Sequence, residues 1–82
     1  MTQLHLHILS PDGVLVDERV SQANLPGEMG PFEVLAGHAA LISPLVGGEV
    51  CYVTESGPQT LAIRSGFAEI RNNEILLAVE PA

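Results

Sequence analysis

Eighty-two residues fit one domain, since domains rarely fall below roughly 50 residues, and exclude an enzyme with a separate substrate domain. Ten carboxylates against three arginines and no lysine give a net charge of −7, which opposes nucleic-acid phosphates and anionic lipid and favours a basic partner. Hydrophobic residues at 46% exclude disorder, and charged residues at only 16%, against about 25% in ordinary soluble domains, imply uncharged surface that partners cover.

Along the chain, Leu4, Leu6 and Ile8 alternate with His5 and His7, which predicts a strand with one apolar face. Pro11-Asp12-Gly13 breaks it with turn chemistry. Val14 and Val16 restart the alternation, and Val20, Ala23 and Leu25 continue it with a parity slip that predicts a bulge. Residues 25–48 carry five glycines and three prolines and predict a long crossover or a presented loop. Beyond it, Val50 to Thr54 is β-branched and aromatic, and Ser56-Gly57-Pro58 stops it. Thr60 to Arg64 resumes, Gly66 punctuates, and Phe67–Arg71 and Glu74–Val79 flank Asn72-Asn73. Two asparagines tolerate positive φ, so a type I′ hairpin is expected there. No stretch of a dozen residues keeps a helical apolar stripe free of Gly and Pro. The prediction is all-β: one domain over residues 1–82, a two-sheet β-sandwich of short, mostly antiparallel strands.

Cys51 is the single cysteine, so it closes no intrachain disulfide and points to a reducing compartment. The segment Met1 to His5 has no basic, apolar leader character, and the longest apolar run, Ile75 to Val79, is too short to span a bilayer. A soluble, intracellular protein is expected.

Few residues offer chemistry. His38 lies among glycines with no Ser, Cys or paired carboxylate at a convincing spacing, so a structural or interface use outweighs catalysis. His5 and His7 share one strand face, but two ligands without a third make a poor metal site. Gly27, Gly30 and Gly37 do not follow a phosphate-loop spacing, and no lysine follows them. Phe32, Val34 and Leu35 are either core or part of an apolar docking patch, to which Glu28 and Glu33 add charge. No catalytic residue, cofactor or metal is therefore expected.

The segment Leu25-Pro26-Gly27, then Gly30, Phe32, Val34-Leu35, Gly37-His38-Ala39 and Leu41, resembles the loop signature LPG-x-x-G-x-F-G-V-L-P-G-H-A-P-L-L of the epsilon subunit of F-type ATP synthases. The opening alternation with Ser10-Pro11-Asp12-Gly13, and Ser65-Gly66-Phe67-Ala68-Glu69-Ile70 followed by Asn73, are similar to that family's first strand and closing hairpin. The three blocks occur in family order across nearly the whole chain. Pro31, Glu33, Ala36 and Ala40 depart from the common residues at their positions.

The resemblance implies a non-catalytic rotor-stalk subunit between the gamma subunit and the membrane c-ring, coupling proton or sodium flow to ATP synthesis. It places the protein peripherally on the cytoplasmic face of a bacterial or equivalent energy-transducing membrane, without lipid insertion. Glu28, Met29, Gly30, Pro31, Phe32, Glu33 and His38 would form the ring-facing loop. Many family members continue into C-terminal helices that bind nucleotide or restrain hydrolysis. A chain that stops at Ala82 is expected to lack both functions. The rival readings are a free-standing β-sandwich adaptor and, far behind it, a small enzyme built on His38 with Glu28 or Glu33.

Overall fold

The computed structural model describes residues 3–82; Met1 and Thr2, part of the segment read above for a leader, lie outside the described residues. The order is β1 (Leu4–Ser10), β2 (Gly13–Val20), β3 (Gln22–Leu25), β4 (Phe32–Leu35), β5 (Leu41–Leu45), β6 (Gly48–Thr54), β7 (Gly57–Arg71) and β8 (Glu74–Pro81). Among the described residues there is no helix. None is therefore long and apolar enough to cross a membrane.

The strands hydrogen-bond in one path, β2-β1-β8-β7-β6-β3-β4, with β5 also pairing β7. This path is nonetheless a sandwich, because β7 belongs to both layers. Its first half, Gly57–Ile63, pairs β6; its second half, Gly66–Arg71, lies between β8 and β5. Fifteen extended residues would reach about 50 Å, whereas the molecule is 33 Å along its longest axis. The strand must bend, and it does so where Ile63 pairs Pro81 and Ser65 pairs Glu80, leaving Arg64 as an extra residue. One layer is thus β2-β1-β8-β7-β5 and the other β7-β6-β3-β4.

The sequence pattern placed a break at Gly66, but β7 runs straight through it. Glycine is needed there for close approach: a Cβ would lie 2.6 Å from the Ala78 carbonyl oxygen and 3.0 Å from Val79 Cγ1. The parity slip between Val20 and Ala23 is likewise not a bulge. Val20 ends β2 in one layer, Ser21 donates its N–H to the Val53 carbonyl at 3.0 Å, and Gln22 opens β3 in the other layer. The bulge lies earlier. Ile8 pairs Val16 and Leu9 pairs Val14, so Leu15 has no partner, and both Val14 and Leu15 face outward.

Inward residues of the first layer, among them Leu6, Ile8, Ile70, Ile75 and Leu77, meet Ala23, Leu25, Val34, Val50 and Tyr52 of the second. β1 and β8 run parallel, which sets Leu6 beside Ile75 and Ile8 beside Leu77. No polar or charged residue is buried among the described residues. The radius of gyration is 11.4 Å, close to the roughly 11.7 Å expected for one compact domain of this length. At Asn72 and Asn73, φ is 53° and 62°, the expected type I′ hairpin, with Arg71 paired to Glu74.

Candidate functional site

Residues 25–48 cross between the layers and contribute one edge strand to each, β4 beside β3 and β5 beside β7. Glu28 to Pro31 form the projecting end of this crossover. The Gly30 N–H donates to the Gly27 carbonyl at 3.0 Å, which closes a β-turn with Glu28 and Met29 at its centre. Gly27 is buried beneath it, where a Cβ would meet the Gly30 carbonyl at 2.7 Å and the Phe32 ring at 2.8 Å. The base of the turn is tied to β5 by Glu28 N–H to Pro44 O (3.0 Å) and Val46 N–H to Pro26 O (2.8 Å). Met29, 97% exposed, is therefore held out in solvent by a rigid support.

β4 then alternates. Phe32 packs its ring partly onto the core and Val34 is fully buried, while Glu33 and Leu35 face outward. Of the three apolar residues read as core or patch, Val34 is core, Leu35 is surface and Phe32 bridges the two. A second turn follows, in which the His38 N–H donates to the Leu35 carbonyl at 3.1 Å and Gly37 has φ 84°. The Gly37 N–H is anchored to the Asn73 side-chain oxygen at 2.7 Å, so the closing hairpin fixes the loop. His38 donates Nδ1–H to the Ala39 carbonyl at 2.7 Å and sits 6.5 Å, centroid to centroid, from the Phe32 ring. Phe32 and His38 are thus brought together. Glu28, Met29, Gly30 and Pro31 share the projecting turn, and Glu33 stands on the exposed side of the adjoining edge strand.

Sequence reasoning located no residues for a second face, and the structure supplies one. On the outer side of the first layer, Ile42 is 72% exposed and Phe67 61%, with Leu76 and Leu9 partly exposed beside them. Cross-strand register makes them neighbours: Ile42 and Leu76 both pair Glu69, while Phe67 and Leu9 both pair Ala78. The signal was present in the unbroken apolar run Ile75 to Val79, which marks a strand apolar on both faces.

The view that His5 and His7 lack a third ligand is also corrected. Asp17 of β2 faces them, with its Oδ1 2.5 Å from His5 Nε2 and 3.7 Å from His7 Nδ1. His7 Nε2 in turn lies 3.0 Å from Glu74 Oε1. The His5 hydrogen bond holds the Asp17 carboxyl below the usual carboxylate range. Elsewhere, burial raises the Tyr52 hydroxyl pKa, with the nearby Glu18 charge adding to the effect. Cys51 is a half-buried residue of β6.

The chain is a small β-sandwich with one projecting glycine-rich crossover and one apolar outer face. Residues 3–82 match the family model described as ATP synthase, Delta/Epsilon chain, beta-sandwich domain, and the chain belongs to that family. It is 40% identical over 79 residues to the ATP synthase epsilon chain of Lawsonia intracellularis and 34% identical over 80 residues to that of Trichlorobacter lovleyi. The alignments cover 96% and 98% of this chain but 59% and 58% of those relatives. The fold matches a chain in the cryo-EM structure of the Euglena gracilis mitochondrial ATP synthase with TM-score 0.87 at 24% identity. That match covers 96% of this chain and 51% of the other. A chain from the Tetrahymena thermophila mitochondrial enzyme matches with TM-score 0.79 at 9% identity, covering 96% and 64%.

Proposed function

We propose that this chain is a non-catalytic rotor-stalk component that joins the gamma subunit to the c-ring of an F-type ATP synthase. In that role it transmits ring rotation, driven by ion flow, to the catalytic head. The observation that carries the reading is one rigid sandwich with two unlike exposed surfaces. The projecting turn with Glu28, Met29 and the nearby Glu33 is acidic and narrow, suited to basic groups on the ring. The stripe of Ile42, Phe67, Leu76 and Leu9 is apolar and broad, suited to gamma. Torque transmission needs no chemistry in this chain, only a body that does not shear. The eight strands of the described residues, cross-linked by backbone hydrogen bonds over a core of apolar side chains, meet that need. The two cryo-EM assemblies that contain folds of this type both include the c-ring by their titles, which supports a place on the enzyme's membrane side.

The test is recovery of gamma and c-ring from solubilised membranes with tagged protein. Phe67→Glu is expected to lose gamma, and Glu28→Gln with Glu33→Gln to weaken ring retention. Recovery of neither partner by the unaltered protein would favour a free-standing adaptor instead.

A further inference from the structure

We propose that His5, His7 and Asp17 form a binding site for a divalent transition metal of the zinc type on the outer face of β1 and β2. The site is a consequence of strand register. His7 pairs directly with Asp17 across the antiparallel ladder, and His5, two residues back on β1, shares the same face on the diagonal. The histidine rings stack with centroids 3.9 Å apart and a 31° tilt, which brings their nitrogens toward one point beside the carboxylate. One ligand atom from each of His5, His7 and Asp17 falls within 4.8 Å of the others, and Asp17 Oδ1 lies 2.5 Å from His5 Nε2 and 3.7 Å from His7 Nδ1.

Zinc binds imidazole nitrogen at about 2.0–2.1 Å and carboxylate oxygen at about 2.0–2.2 Å, which places tetrahedral donors about 3.4 Å apart. The His7–Asp17 separation of 3.7 Å is already close to that figure. The His5–Asp17 pair, at 2.5 Å, must open by about 0.9 Å to reach the tetrahedral spacing. Asp17 is 59% exposed and can make that movement without disturbing the core. Coordination through Nε2 requires that nitrogen to give up its proton, so His5 would bind as the Nδ1–H tautomer.

Glu74 provides an independent sign of a built site. It lies on the far side of His7, where its carboxylate accepts the Nε2–H at 3.0 Å. A carboxylate on the outer nitrogen of a ligating histidine fixes the tautomer that leaves Nδ1 free and raises its basicity. Two imidazoles with one carboxylate suit zinc and its neighbours rather than calcium or magnesium, which demand oxygen donors. Three protein ligands leave a fourth position for water or for a side chain of a docked partner. The net charge of −7 favours a cation.

The experiment is titration of the purified chain with zinc against a chromophoric zinc indicator, accompanied by histidine-ring NMR of the unaltered protein. One zinc per chain is expected, with the rings of His5 and His7 shifting and that of His38 unmoved. His5→Asn and His7→Asn should each weaken binding more than tenfold, and Glu74→Gln about tenfold. Cys51→Ser should leave the affinity unchanged. Circular dichroism of each variant separates a lost site from a lost fold, and the NMR arm needs no variant. Absence of stoichiometric zinc, or shifts at His38 in place of His5 and His7, would overturn the assignment.

Discussion

Asn73 does two jobs that a turn rule alone does not describe. Its positive φ serves the hairpin, and its side-chain oxygen holds the Gly37 N–H at 2.7 Å. Asn72→Gly should therefore leave both turn and loop intact, since glycine accepts the same φ. Asn73→Gly should keep the hairpin but release Gly37, and amide hydrogen exchange at Gly37 and His38 should accelerate while the exchange of β7 and β8 does not. Gly66 offers a contrasting case, in which space rather than φ decides. A Cβ 2.6 Å from a backbone carbonyl forces β8 to shift, and overpacking of this kind costs about 1–3 kcal/mol. Gly66→Ala should lower the urea midpoint accordingly. The sequence shows that glycine as punctuation, because nothing in a linear pattern distinguishes a strand break from a corner where two neighbours press on one residue. The asparagine pair was legible because its conformational signature is local; its grip on Gly37, 36 residues away, was not.

Strand β8 shows how two faces of one element divide stability from binding. Ile75, Leu77 and Val79 point into the core, and Leu76 points outward beside Phe67 and Glu69. Leu77→Ala should cost about 2–5 kcal/mol through lost burial and the cavity left behind. A domain this small has about 4–12 kcal/mol in total, so a substantial loss of urea resistance is expected. Leu76→Ala should change stability by no more than about 0.5 kcal/mol while weakening recovery of gamma. Strands and turns were legible outside residues 25–48 because period-2 patterning survives wherever one face is wet; β4 and β5, read only as crossover or loop, were hidden among five glycines and three prolines. The pattern failed at corners. The change of layer at Ser21 and the bend at Arg64 are set by tertiary closure. Likewise, the third ligand for His5 and His7 comes from a strand whose register depends on the bulge at Leu15.

At the scale of the whole molecule, charge and shape act on different partners. Net charge draws the protein toward any basic surface, and in the proposed role the projecting turn presents Glu28 and the nearby Glu33 to the ring. Glu28 and Glu33 are both exposed, so each pair they make with the ring should contribute about 0.2–1 kcal/mol, up to about fivefold in affinity. Screening sharpens the test, because the Debye length falls from about 30 Å at 0.01 M salt to about 10 Å at 0.1 M. Ring retention of the unaltered chain should decline across that range, and the double Gln variant should start lower and decline less. The apolar face should behave oppositely. Burial against gamma does not depend on screening, so gamma recovery should hold across the series and fall only with Phe67→Glu or Ile42→Glu. If ring retention of the unaltered and double-Gln chains followed the same salt curve, the acidic turn would not be the ring contact. The proposed role would then rest on the apolar face alone.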